Sequence, residues 1–215
     1  MPREIIRMDA KEYFIKNAVM LVDSREQENQ LILKAFKDMG LRYDVKQGTG
    51  IAFIYGDYSF CIDGKDYRDE VIFERKANLE ELFGNVNAKN QTDRHTDNLR
   101  NNLEREFDKM NKYRVAEKWL MFGGVDNFRD VKKYQFPYWK KVKDPSPGLI
   151  QQSKIAGKTI YGTLMSWQCS NRYNFKMYCS KNQYDLAMQM VSISYYYWRN
   201  EQKAKNKIKQ GFYYF

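Results

Sequence analysis

The chain is 215 residues long, 43% hydrophobic and 16% aromatic, and its 37 Lys+Arg outweigh 27 Asp+Glu to give a net charge of +10. That is apolar material for one sizeable core, in too short a length for two full domains, and no apolar run approaches the ~20 residues that span a bilayer. Cys61, Cys169 and Cys179 show neither CxxC nor Cys/His spacing, which argues against a disulfide framework or a zinc site and fits a reducing compartment.

The first residues, Met1-Pro2-Arg3-Glu4, carry no signal-peptide apolar region, so a cytoplasmic or nucleoid-associated protein is expected. The positive balance suits a partner made of phosphate, because each neutralised phosphate releases condensed counterions. Ordinary solubility charge is the plain alternative.

In chain order, Val19 to Asp23 reads as a short buried strand. A helix follows from Glu28 to Met39, with Leu31, Ile32, Ala35, Phe36 and Met39 on one stripe and Gly40 as its stop. A strand is expected near Arg42 to Lys46. Two more, Tyr58 to Ile62 and Glu70 to Lys76, are joined across the turn Asp63-Gly64. Asn78 caps a short helix carrying Leu79, Leu82 and Phe83. A longer polar helix runs from about Asp93 to Asn111 with Leu99, Leu103, Phe107 and Met110 as its apolar face. Lys118 to Phe122 is an inner strand closed by Gly123-Gly124.

Residues 125–158 hold three of the four prolines with many lysines and rings, and read as an irregular, basic, aromatic-rich insertion. Regular structure resumes with a helix at Thr159 to Cys169, a strand at Asn174 to Cys179 and a long helix from Gln183 to about Lys207. One domain over residues 1–215 is expected, and this order of elements describes a three-layer α/β domain on a mixed sheet.

Three charged clusters stand at the edges of these strands: Val22-Asp23-Ser24-Arg25-Glu26, Gly56-Asp57-Tyr58 and Glu74-Arg75-Lys76. The strand period of two puts Glu74 and Lys76 on one face and Arg75 with Phe73 on the other. A carboxylate and an ammonium side by side share one job: Glu74 binds a cation, and Lys76 orients water or meets the charge that builds on a phosphate. Strand pairing brings Asp57 close to Glu74, and two hard oxygen donors suit Mg²⁺ or Mn²⁺. Asp23 and Glu26 are positioned to complete the shell, directly or through water, and Arg25 to fork onto a phosphate. Taken singly, the first cluster is often a helix cap, Gly-Asp-Tyr a turn, and Glu-Arg-Lys a solvated face.

In order and content the clusters resemble the nuclease domain of the XPF-type structure-specific endonucleases, with Val-Asp-x-Arg-Glu, Gly-Asp-Tyr and Glu-Arg-Lys followed by an acidic residue, here Glu80. Leu103-Glu104-Arg105-Glu106-Phe107 resembles that family's Arg-Glu-containing helix. The resemblance covers roughly residues 17–122 and extends to 159–200. It implies a restriction-endonuclease-like nuclease fold, a central mixed sheet flanked by helices, and Mg²⁺- or Mn²⁺-dependent hydrolysis of DNA at branched or partly single-stranded structures.

By that likeness Asp57 and Glu74 are the principal metal ligands, with Asp23 and Glu26 in support. Lys76 is catalytic, and Arg25 and Arg75 make phosphate or structural contacts. No helix-hairpin-helix or helicase region accompanies the motifs, which looks more like a lean phage or microbial form. A homodimer through the C-terminal helix is the corresponding expectation. Lys140 and Lys141, among Tyr138 and Trp139, are candidate DNA contacts, with a solvated loop as the alternative. His95, the single histidine, is left out of the site. Two other readings stand beside this one: a non-catalytic DNA-binding or docking protein on the same fold, and a restriction-like or RNA-directed nuclease.

Overall fold

The computed structural model describes residues 9–26, 29–46, 53–87, 102–135, 147–170 and 173–211. Its strands are β1 (Val19–Asp23), β2 (Arg42–Lys46), β3 (Tyr58–Ile62), β4 (Lys65–Asp66), β5 (Val71–Lys76), β6 (Glu117–Gly123) and β7 (Lys176–Ser180). Its helices are α1 (Ala10–Asn17), α2 (Gln30–Asp38), α3 (Leu79–Asn87), α4 (Asn102–Lys112), α5 (Pro147–Cys169) and α6 (Gln183–Gly211), with a short 3₁₀ helix at Phe128–Lys133.

The strands order as β2-β1-β3-β5-β6-β7, with β4 beside β3. β1 runs antiparallel to β3 and β3 to β5, while β1–β2, β5–β6 and β6–β7 are parallel. The sheet is therefore mixed, as expected.

Side-chain alternation divides the interior into two cores. On one face Leu21, Ile72, Leu120 and Phe122 meet Leu79, Leu82 and Phe83 of α3, Leu103 and Phe107 of α4, and Ile160 and Leu164 of α5. On the other, Met20, Val22, Tyr58, Phe60, Phe73 and Met121 meet Phe14 of α1, Ile32 and Phe36 of α2, and Leu186, Met190 and Trp198 of α6. Helices on both faces explain why every residue of β5 is buried, including its three charged ones. This is a three-layer α/β sandwich.

Several boundaries differ from the sequence reading. Leu31, expected on the core stripe of α2, is 60% exposed. The turn Asp63-Gly64 leads into the two-residue β4, and β5 begins only after Glu70. α1 precedes β1, where periodicity had signalled nothing. The stretch 125–158 is not irregular throughout: a 3₁₀ helix occupies its start, and α5 begins at Pro147, twelve residues before Thr159. Proline at the first helical position is favourable, since its missing N–H has no intrahelical partner there; reading it as a breaker moved the helix start. Gly157 then lets the 3₁₀ segment lie directly on α5, its N–H donating to the Tyr134 carbonyl at 2.9 Å. A Cβ there would stand 2.2 Å from the Val131 carbonyl oxygen. The expected helix from Asp93 is described from Asn102; His95, Lys140 and Lys141 lie outside the described residues.

Among the described residues no helix is long and apolar enough to cross a membrane. The aromatic surplus of α6 is largely absorbed by the second core, where Tyr195 and Trp198 pack on Phe14. Tyr196 and Met188 stay exposed.

Candidate active site

β1 and β5 do not pair directly; β3 lies between them, and the bend just before β3 carries Asp57 to a point where it touches both. Asp57 N–H donates to the Phe73 carbonyl at 2.8 Å, and the Asp57 carbonyl accepts the Asp23 N–H at 2.8 Å. Its side-chain Oδ2 accepts the Arg75 N–H at 2.7 Å. Three bonds thus fix the Asp57 carboxyl beside the end of β5. Gly56 permits the bend: its φ is +67°, and a Cβ would lie 2.4 Å from Ile72 Cγ1.

The alternation of β5 works as the sequence predicts. Glu74 and Lys76 project to the α3/α4 face, while Arg75 projects toward α6. An open cleft of about 310 Å³ receives Asp23, Arg25, Asp57, Glu74 and Lys76 together with Asn85, Arg105 and Glu106. Lys76 Nζ donates to Glu74 Oε1 at 2.6 Å. Both side chains are almost wholly buried.

The electrostatics follow from crowding in a poorly solvated place. Burial, then the charge of Glu74, holds the Asp57 carboxyl well above the ordinary carboxylate range. Burial also raises Glu74, although Lys76 opposes it. For Lys76, burial disfavours the ammonium, but Glu74 and Asp57 outweigh it, so its pKa is raised and the group stays cationic.

Two of the expected residues, Glu26 and Arg75, are not among those lining the cleft. Arg25 forks onto Asp23, its Nε 3.1 and 2.9 Å from Oδ1 and Oδ2 and its Nη2 also on Oδ2. Glu26 pairs instead with Arg75 Nη1, and Tyr58 Oη reaches the same carboxylate at 3.4 Å. Burial raises the Glu26 pKa against the pull of Arg75. Arg75 Nε also donates to Gln183 Oε1 at 3.1 Å, and Gln183 Nε2 to the Ala77 carbonyl at 3.0 Å. Arg75 and Glu26 thus tie β5 to the loop after β1 and to the start of α6.

Glu80 is exposed and is not among the residues lining the cleft. Its neighbour Glu81 is the one near Lys76, 3.8 Å from Nζ, while its other oxygen caps the Ala77 N–H at 2.7 Å. Asn78 Oδ1 accepts the Glu81 N–H at 2.9 Å, completing a capping arrangement at the start of α3. The Asn-x-x-Glu spacing was the available signal for Glu81. Asn85 had none beyond its place one turn later on the same helix.

Asp57 and Glu74 offer hard oxygen donors to one cleft, a donor set of the kind that fits a divalent cation. Among the described residues no three ligating side chains converge into a closed set. Asp23 faces Arg25, leaving a two-carboxylate arrangement of the kind that water and a phosphate oxygen complete.

These layers and strands make a mixed-sheet, three-layer α/β fold. Among solved structures the chain is similar to XPF from Aeropyrum pernix, with TM-score 0.52 and 13% identity over 90% of this chain and 73% of that one. A second structure, XPF from Aeropyrum pernix in complex with DNA, gives TM-score 0.46 and 14% identity over 82% of this chain and 64% of that chain. No protein-family model and no curated protein matches the chain. The chain has the XPF-type nuclease fold, and at 13% identity the likeness is one of fold.

Proposed function

We propose that this protein is a divalent-metal-dependent endonuclease that hydrolyses phosphodiester bonds in DNA, acting at branched or partly single-stranded structures. The observation that supports it most is the convergence of Asp57, from the bend before β3, with Glu74 and Lys76 of β5 on one cleft of a basic protein. Asp57 and Glu74 are the residues that would hold Mg²⁺ or Mn²⁺. When bound, such a cation supplies Lewis acidity and a water acidic enough to attack near neutral pH.

The chain's own groups do the rest. Lys76, kept protonated by its two carboxylate neighbours, presents fixed positive charge to the oxygens of the scissile phosphate. Arg25, exposed at the cleft, holds the backbone of the same strand. Glu26 and Arg75 brace the end of β5 from the opposite face. Action on DNA would place the protein in the cytoplasm or at the nucleoid.

A homodimer through α6 belongs to this reading. Exposed Tyr196 and half-buried Ile193 and Trp119 line an open groove of about 480 Å³ between β6 and α6. Sedimentation at micromolar concentration is expected to show a dimer that Tyr196→Lys reduces to monomer; a monomeric wild type contradicts it.

Cutting of labelled flap, fork, junction, linear duplex and RNA substrates, in Mg²⁺ and in EDTA, tests the reading. Mg²⁺-dependent cleavage favouring branched DNA is expected. DNA binding without metal-dependent cleavage of any substrate would leave a docking protein, and preference for RNA or plain duplex would leave one of the other nuclease classes.

A further inference from the structure

We propose that Asp23 serves Arg25 rather than the cation: it is a positioning residue that aims the Arg25 guanidinium at a DNA phosphate across the mouth of the cleft. The inference rests on the nuclease reading for its substrate, but its geometry is independent of catalysis.

A carboxylate has about four lone-pair directions, and those of Asp23 are engaged by one residue. Oδ1 accepts the Arg25 backbone N–H at 2.9 Å and Nε at 3.1 Å; Oδ2 accepts Nε at 2.9 Å and also Nη2. The Asp23 side chain is 2% exposed, so solvent does not compete for these directions. Asp57 differs: its Oδ2 accepts one backbone N–H, and Oδ1 has no hydrogen bond to any described residue. A cation recruiting Asp23 would have to detach a forked guanidinium from a buried carboxylate, whereas Asp57 offers an oxygen at once.

Arg25 is held at a second point, Nη2 donating to the Phe53 carbonyl at 2.8 Å. Yet its side chain is 67% exposed. Anchored along one edge and open along the other, the guanidinium presents Nη1 with no hydrogen bond to a described residue. A planar, permanently charged group fixed in this way suits a phosphate oxygen. It loses less rotamer freedom on binding than a free arginine would.

Two equilibrium measurements on the full chain decide the matter: Mn²⁺ binding by calorimetry, and anisotropy of a labelled fork DNA in EDTA over a range of KCl. Arg25→Ala and Asp23→Asn are expected each to weaken DNA binding by about tenfold, the loss of one charge-assisted contact. Each should lower the salt slope by about one phosphate. The double variant should be no worse than either single one, as for residues acting through one group. Mn²⁺ affinity should stay within about twofold in Asp23→Asn and fall about tenfold or more in Asp57→Asn.

Loss of Mn²⁺ binding in Asp23→Asn equal to that in Asp57→Asn would overturn the inference, as would additive DNA losses. Should Asp23→Asn fail to fold, Arg25→Ala still decides, because unchanged DNA binding there overturns it. Failure to cleave any substrate, with these binding results intact, would remove the nuclease reading and leave the Asp23–Arg25 pairing in place.

Discussion

Asp57 Oδ2 accepts the backbone N–H of Arg75 at 2.7 Å, so the first acidic residue of the cleft is held by the strand that carries the second. Glu74 and Lys76 flank that N–H in sequence and project together into the cleft. Any shift of β5 moves all three groups as a unit. Backbone hydrogen bonds on either side of Asp57 set the position of the site.

Replacing Asp57 separates stability from activity. A carboxyl whose folded-state pKa lies above its unfolded value contributes its stabilisation below the unfolded value and loses it as pH rises through the folded one. Asp57 and Glu74 are both of this kind, so ionising the pair is a cost to the fold. Asp57→Asn keeps an oxygen for the Arg75 N–H and removes one charge. Thermal melting without metal should rise by about 2–4 °C, the shift that ~1 kcal/mol gives in a chain of this size. Cleavage should fall by about 10²-fold or more. Mn²⁺ should raise the wild-type melting temperature, less so at lower pH, and should leave the variant nearly unmoved.

Removing Lys76 has the opposite effect on stability. In Lys76→Met, Glu74 is left as a buried carboxylate without its ammonium, a loss of about 3 kcal/mol by denaturant titration. Glu74→Gln in the same chain should restore most of it, because both charges are then gone. Neither variant should cleave. Full stability in Lys76→Met would show that the ion pair in the cleft is not formed.

Gly56 is required twice over, by its left-handed backbone and by the space against Ile72. Gly56→Ala should lose about 2–4 kcal/mol in denaturant titration, strain and overpacking together. An effect below about 0.5 kcal/mol would mean that the bend before Asp57 is not as tight as the geometry states.

The legible part of the site was the part carried by local periodicity. Alternation along β5 separates Glu74 and Lys76 from Arg75, and apolar runs mark β1, β3 and β6, so the mixed sheet and the convergence of Asp57 with Glu74 follow. Which cation neutralises which carboxylate is decided by side-chain reach across the sheet and was not legible. Glu26 pairs with Arg75, 49 positions away, and Asp23 with Arg25. Glu81 rather than Glu80 approaches Lys76 because helical phase from the Asn78 cap sets the direction of each. α5 was read too short because Pro147 at a helix start and Gly157 at a close contact both resemble loop punctuation.

The central claim is that Glu74, with Asp57 beside it and Lys76 against it, forms the metal-dependent cutting centre. Single-turnover cleavage of one fork DNA by wild type and Glu74→Gln, in Mg²⁺ and in EDTA, tests it most directly. The account predicts cutting only by wild type in Mg²⁺, with Glu74→Gln reduced by about 10²-fold or more; equal rates for the two proteins, or cutting that persists in EDTA, would contradict it.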